Sequence, residues 1–431
     1  MKVENRMSEE YKRRYTFGMD YGTSDYKFGP ITCGDKPEVI ENRGYLLDKT
    51  SVMSRITGVQ KNVVVGKDIP LYLEAREDLP SRLIYPMKNG IVEKADERAW
   101  NVVQEITRFG LSTFKLAEPD YRGSYVVASL SSVAPRYMYE KLFEVFRQTN
   151  DGENLASAAT IIPQPLAVAI AHKIPTCVVI ESGHGNTQVC PISRYPIRNA
   201  IVAINRGGGD ANSLTAEILK DCGYGDLSRE EAFVRKVKEN LGLIPIDLEK
   251  AVRAAKENPD RVAAKYQIPG TRIAVELAEN SWMRFLIGEY VFNPSNELFQ
   301  SYFTRGMPKP RDVRFGDITF KGMLDFGEAI IESVERCPIE LQPYLYRQVL
   351  LSGGNFAWNV PNELKDIATD AASKIRLLLE QNGITDVKIT MTSQPQFSVW
   401  RGCIIYGYAV PENYDWNWER MEGWLKLGGA G

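Results

Sequence analysis

Histidine is nearly missing from this chain: His172 and His184 are the only two in 431 residues. A Ser-His-Asp triad or a histidine-rich zinc site therefore has almost nothing to be built from. The six cysteines (Cys33, Cys177, Cys190, Cys222, Cys337, Cys403) are scattered without CxxC spacing, which removes a cysteine cluster as well. No apolar run approaches the roughly 18 residues of a membrane span, and the charged start MKVENRMSEEYKRR is not followed by the apolar core of a secretory signal. A cytoplasmic location without a membrane span is expected. Positive charge is not in excess either, with 53 Lys and Arg against 55 Asp and Glu, so nucleic acid is not an expected partner. Any chemistry must come from carboxylates, amides and backbone.

What is present is an ordinary folding composition, 44% hydrophobic and 25% charged, in a chain long enough for two large lobes or one lobe with insertions. Two segments align without a gap at an offset of 161 residues: FGMDYGTSDYKFGPI (17–31) and VVIESGHGNTQVCPI (178–192). Asp20 falls on Glu181, Gly22 on Gly183, Lys27 on Gln188 and Pro30 on Pro191. Each reads as an apolar strand, a glycine-containing turn and a second strand, a β-hairpin by composition. In both, a carboxylate ends the first strand and small residues follow, which lets backbone N–H groups approach an anion closely. Two such turns suit a polyphosphate, with Asp20 and Glu181 placed to hold a hydrated Mg²⁺. A third turn, QVLLSGGNFAWNVP (348–361), puts Gly353 and Gly354 after a buried-strand pattern, where the backbone can lie flat against a planar ring.

These residues resemble the actin, Hsp70 and sugar-kinase superfamily, and within it the actin family over nearly the whole chain. YPMKNGIV (85–92) is similar to actin's YPIEHGIV, NVVVGKDI (62–69) to DSYVGDEA, and PQPLAVAIA (163–171) to IQAVLSLYA. VKENL (237–241) resembles IKEKL, FNP (292–294) resembles FQP, and QFSVWRGCIIYGYA (396–409) resembles KYSVWIGGSILAS. The closest likeness is to the archaeal actins called crenactins, through the GHGN turn, the NRGG loop and the SVWRG segment. The resemblance implies an α/β fold of the duplicated ribonuclease H-like kind: two lobes, each a mixed central sheet flanked by helices, with an ATP cleft between them.

It also implies roles. Asp20, Gly22, Thr23, Ser24 and Lys27 would form the first phosphate loop, and Glu181, Gly183, His184, Gly185 and Asn186 the second. Asp20 and Glu181 would hold Mg²⁺ through water. Lys238 and Glu239 would meet the ribose and base, and Gly353, Gly354, Asn355 and Gln396 would surround the adenine and its sugar. Gln164 matches actin's glutamine that orients the attacking water, and an amide that donates and accepts suits that task. The second loop departs from actin's DSGDG by carrying Glu181 and His184, and Gln188 stands where actin has a histidine near the attacking water.

The resemblance divides the chain into residues 1–41, 86–171 and 397–431, with a small insertion at 42–85, and into 172–206 and 299–396, with an insertion at 207–298. SREEAFVRKVKENLG (228–242) reads as a helix opened by a capping box of Ser228 and Glu231. Residues 294–317 read as a long irregular connection, either packed on its own lobe or presenting Phe299, Tyr302 and Phe303 to a partner. Trp416, Trp418 and Trp424 crowd the tail, where they anchor it or meet a partner. The expected function is a cytoskeletal ATPase that polymerises head to tail into a helical filament, with filament-binding proteins as further partners. The alternatives are a non-polymerising actin-related ATP-binding subunit and a small-molecule kinase of the same fold. An Hsp70-like chaperone is disfavoured, because the chain beyond Ser398 is too short for a substrate-binding domain.

Overall fold

In a computed structural model, the described residues are 2–47, 63–70, 82–150 and 153–427. The chain forms two compact units, Met1–Pro175 with Phe397–Gly431, and Thr176–Gln396. It passes from one to the other twice, after Pro175 and after Gln396.

The first unit is built on β1 (Thr16–Tyr21), β2 (Asp25–Pro30), β3 (Glu38–Glu41), β4 (Ser124–Leu130) and β5 (Ala156–Pro163), in the order β5-β4-β1-β2-β3. β1 runs parallel to β4, and β4 to β5, while β1, β2 and β3 form an antiparallel meander. Every residue of β1 and β4 is buried. Strands covered on both faces read as continuous apolar runs rather than alternations, and TFGMDY and SYVVASL do so.

The second unit repeats this pattern with β6 (Thr176–Ser182), β7 (Thr187–Ser193), β8 (Val202–Ile204), β9 (Gln348–Ser352) and β10 (Lys388–Met391), ordered β10-β9-β6-β7-β8. The strand senses are the same: β6 is antiparallel to β7 and parallel to β9, and β9 is parallel to β10. The 161-residue offset is thus the trace of a duplicated sheet. Asp20 pairs in register with Lys27, and Glu181 pairs with Gln188.

Helices cover the sheets. The first unit carries α1 (Lys2–Arg14), α2 (Glu97–Thr113), α3 (Arg136–Thr149), α4 (Gln164–His172) and a helix at Ser398–Ala409; of these, α2 and α3 supply residues to the core that holds Phe17, Met19, Tyr26 and Phe28. Helix α4 starts where β5 ends, because Pro165 lies in its first turn, where a missing N–H costs nothing. The helix Ser398–Ala409 lies directly on α4: a Cβ at Gly402 would sit 1.8 Å from the Ala167 carbonyl oxygen. Only glycine permits backbones this close. The buried Lys12 of α1 donates through Nζ to the Gly407 carbonyl at 2.8 Å, so a cation closes the C-terminal end of that helix.

Three details depart from or decide the sequence reading. The helix expected at 228–242 is present as Glu231–Leu241, but Ser228 does not cap it; its hydroxyl turns back to the Gly225 carbonyl at 2.7 Å in the preceding turn. Residues 294–317 are not a partner-facing aromatic loop. Phe299 and Tyr302 are buried, and Phe299 meets Tyr290 at 5.1 Å, so burial within the unit takes the rings. Phe303 packs on the same core, which removes these aromatics as support for a head-to-tail contact. Trp424 is buried against Tyr125, and Trp416 packs on Phe143, so the tail anchors to its own unit. Of the insertion read at 42–85, Gly44–Leu46 pairs with Val63–Val65 and Leu83–Ile84; residues 48–62 and 71–81 lie outside the described residues.

The second unit contains a buried ion pair, Glu289 with Lys374 at 2.7 Å, and Lys374 also donates to the Pro245 carbonyl. Burial pushes the Glu289 carboxyl up to about 7 despite the lysine. The unfolded chain releases this proton near the ordinary value of 4.5, so between about 4.5 and about 7 the folded state holds more protons and stability falls as pH rises. Glu289→Gln is expected to remove up to about 3 kcal/mol of that decline. Urea unfolding of both proteins at pH 5 and pH 7.5 checks it, and parallel pH slopes would reject the assignment.

Candidate functional site

In the first unit, the turn between β1 and β2 is organised by Asp20. Its carboxylate is 2% exposed and accepts from Lys27 Nζ at 2.8 Å through Oδ2 and from Gln164 Nε2 at 2.8 Å through Oδ1. The ordered donors come from different places: Lys27 is across the hairpin, and Gln164 is the first residue of α4. A carboxylate only accepts, so Gln164 must turn its NH₂ toward it, and Oε1 is left as the amide's second functional atom. The turn itself is closed by Gly22 N–H donating to the Asp25 carbonyl at 3.2 Å. Asn42 ties it from outside, donating through Nδ2 to the Gly22 carbonyl and through its backbone N–H to the Ser24 carbonyl, both at 2.7 Å. Thr23 Oγ1 accepts from Gly90 N–H at 2.9 Å.

In the second unit, the turn between β6 and β7 is closed by Gly183 N–H donating to the Asn186 carbonyl at 3.0 Å. Glu181 is largely buried, with Oε1 3.8 Å from where a Cβ on Gly183 would lie. The buried Gln188 donates through Nε2 to Asn186 Oδ1 at 3.2 Å. The Gly183 and His184 carbonyls accept from the Gly208 and Gly209 N–H groups at 2.9 and 2.8 Å, at the start of α5 (Gly208–Asp221). The His184 ring rests on Gly209, where a Cβ would meet Nε2 at 2.9 Å. Gly185 completes the turn between these anchors.

The Gly353-Gly354 turn is held to the same region. Gly353 has φ +108°, and a Cβ there would lie 2.0 Å from the Ser182 carbonyl oxygen, so no other residue fits. Asn355 Nδ2 donates to Ser182 Oγ at 2.9 Å and to the Gly183 carbonyl at 2.7 Å. Lys238 is buried and donates to the Gly208 carbonyl at 3.0 Å. Glu239, next in sequence, is exposed and engaged by Arg235 at 2.9 Å and Lys236 at 2.8 Å on its own helix surface. Gln396 follows Pro395, whose carbonyl accepts the Gly353 N–H at 3.0 Å. Its own Oε1 is buried without a hydrogen-bond partner.

The sequence reading thus named most of the residues that converge within each unit, and it missed others. Ser129, Asn42, Ser182 and Thr187 carry no motif signal; Ser182 and Thr187 hydroxyls bond each other at 2.7 Å across the second turn. The loop 206–209 entered only as a family likeness. Arg206 is fully buried and spans the carbonyls of Val291, Gly322 and Leu324, and burial pushes its guanidinium down to about 10. Of the three glycines after it, Gly207 and Gly209 would drive a Cβ into the second turn at Gly183 and His184, and Gly208 would drive one into Asn355 Oδ1 at 2.9 Å.

A nucleotide with Mg²⁺ fits these residues chemically. Each unit offers a carboxylate at the end of a strand beside a glycine turn, and Lys27 supplies a point charge. The orphaned Gln396 oxygen awaits a donor, and nothing lies within 4 Å of a side chain's starting point on Gly354, where a flat group can approach. Among the described residues no group of three or more His, Cys, Asp or Glu is placed to hold a metal alone, so phosphate and water would have to complete its shell.

The family model described as Actin matches residues 47–410. Actin-related protein 3 of Saccharomyces cerevisiae is 24% identical over 368 residues, covering 80% of this chain and 75% of the relative. The Schizosaccharomyces pombe protein of that name is 24% identical, covering 74% and 70%, and the Neurospora crassa one is 26% identical, covering 77% and 71%. With a duplicated sheet carrying an acid-and-glycine turn in each copy, and the family match running through both units, the chain belongs to the actin family.

Proposed function

We propose that this protein is an actin-related, ATP-binding subunit of a larger assembly. The observation that carries the reading is the repeated acid-and-glycine turn, with Asp20 against Lys27 in one unit and Glu181 against Gln188 in the other. In this reading Gly22, Thr23, Ser24 and Lys27 face one side of the phosphates, and Gly183, His184, Gly185 and Asn186 the other. Lys238, Glu239, Gly353, Gly354, Asn355 and Gln396 serve the nucleoside. Bound Mg²⁺ would neutralise phosphate charge, with Asp20 and Glu181 as its water-mediated holders. Gln164, anchored by its NH₂ on Asp20, presents Oε1 to a water and orients it without acting as a strong base. Gln188 is the second amide assigned to the reaction, in which ATP gives ADP and phosphate.

The preference for a subunit over a filament-forming actin follows the relatives, which are actin-related proteins 3. It also follows the burial of Phe299 and Tyr302 within their own unit. The filament is the second reading, supported by the GHGN, NRGG and SVWRG likeness to the crenactins. The four-part division with insertions at 42–85 and 207–298 and a cytoplasmic, cytoskeletal location belong to either reading. Sedimentation with and without ATP separates them: a nucleotide-dependent pellet above a critical concentration selects the filament, and its absence selects the subunit.

Two substitutions test the site. A ligand that binds only the folded state raises its melting temperature, so wild-type protein should be stabilised by ATP with Mg²⁺, and Asp20→Ala should lose that shift. An equal shift in both proteins would remove Asp20 from the site. Gln164→Ala should bind ATP within a few-fold of wild type yet release phosphate roughly 10 to 1,000-fold more slowly. Equal single-turnover rates would assign the water to another residue.

A further inference from the structure

Ser129 lies outside every glycine turn, next to last in the apolar run SYVVASL. It is fully buried, and in the parallel ladder between β1 and β4 it is the register partner of Asp20. Its hydroxyl reaches Asp20 Oδ1 at 3.3 Å and the Met19 carbonyl at 3.3 Å. One hydroxyl proton serves one acceptor at a time, and an ionised carboxylate is the stronger of the two. We propose that Ser129 is a positioning residue: it fixes the rotation of the Asp20 carboxylate and, through it, the amide of Gln164. The inference rests on the nucleotide reading above.

The geometry explains how a single hydroxyl acts at a distance. Asp20 Oδ1 receives Gln164 Nε2 at 2.8 Å and Ser129 Oγ at 3.3 Å, while Oδ2 receives Lys27. At 3.3 Å the serine bond is longer than the usual 2.5–3.0 Å for hydroxyl donors. Its contribution is therefore direction rather than strength: with donors on both oxygens, and two on Oδ1, the carboxylate cannot turn about its Cβ–Cγ bond without losing partners. Gln164 alone also lies 3.4 Å from the Tyr21 carbonyl, an alternative acceptor toward which its NH₂ can drift when Oδ1 moves. That drift carries Oε1 away from the place where it would meet water.

The duplicated sheet supplies an internal comparison. Ser352 holds the same register position beside Glu181 that Ser129 holds beside Asp20. Its hydroxyl, however, turns to the Pro395 carbonyl at 3.4 Å. The repeated backbone thus places a serine next to each acid.

The test compares wild type, Ser129→Ala, Ser129→Thr, Gln164→Ala and the Ser129→Ala/Gln164→Ala double variant in full-length protein, by ATP affinity and single-turnover phosphate release. Ser129→Ala should slow release about tenfold, the cost of a misdirected Gln164 amide, with ATP affinity within about threefold. Ser129→Thr, which keeps the hydroxyl, should restore the rate. In the Gln164→Ala background the serine substitution should add little, because residues acting through one another are not additive. A wild-type rate in Ser129→Ala, a parallel loss of affinity and rate, or full additivity in the double variant each overturns the inference. Wild-type protein that binds ATP but releases no phosphate overturns it and leaves nucleotide binding standing. Wild-type protein that shows no stabilisation by ATP defeats the underlying nucleotide reading, and the inference with it.

Discussion

A carboxylate removed from water has to be met by donors, and the first unit is arranged around that requirement at Asp20. Leaving such a charge unmatched costs several kcal/mol, so its partners are part of the fold as much as of the site. They arrive from three segments far apart in the chain: Lys27 from the second strand of the hairpin, Ser129 from the parallel neighbour, and Gln164 from the first turn of α4. All three depend on strand register. A slip of one residue in the pairing of β1 would send Asp20 to the opposite face of the sheet, away from these donors. The site is thus as precise as the sheet that carries it.

The second unit meets the same topological problem with different chemistry. Gln188 stands where Lys27 stands in the first unit, so no lysine crosses the hairpin to its acid. Order comes instead from hydrogen bonds onto backbone carbonyls: Asn355 onto Gly183, the glycine amides of 208 and 209 onto Gly183 and His184, and the Lys238 ammonium onto Gly208. Close backbone approach makes this possible, and it recurs in the first unit, where the Gly402 backbone touches that of Ala167. Two turns with a common ancestry in topology therefore differ in electrostatics, one built on a buried ion pair and the other on amides and carbonyls.

Much of the site was legible in the sequence because strand, acid and glycine turn are local signals. Asp20, Lys27, Glu181 and Gln188 occupy paired positions in hairpins that composition and the 161-residue offset both expose. The Gly353 turn was legible because its conformation admits only glycine. Other features were not. Ser129 reads as one more residue of a buried strand, and its place beside Asp20 arises only from the parallel pairing. Ser228 has the composition of a helix cap, yet a nearer carbonyl took its hydroxyl. Phe299 and Tyr302 left two outcomes open in sequence, and the hydrophobic effect settled them by placing both rings in their own core.

The sequence by itself determined the local pieces: which runs form buried strands, where the chain turns tightly, which carboxylates stand at the ends of strands, and that two such units recur in one chain. These follow from periodicity, glycine conformation and side-chain chemistry, which act over a few residues. Tertiary structure alone decided which donor meets which acid, that Gln164 points its NH₂ at Asp20, and that the glycines at 207–209 make room for the second turn and for the Asn355 and Lys238 side chains. Those outcomes depend on contacts between residues distant in the chain, or on competition among several nearby partners, and neither leaves a mark in the order of the residues.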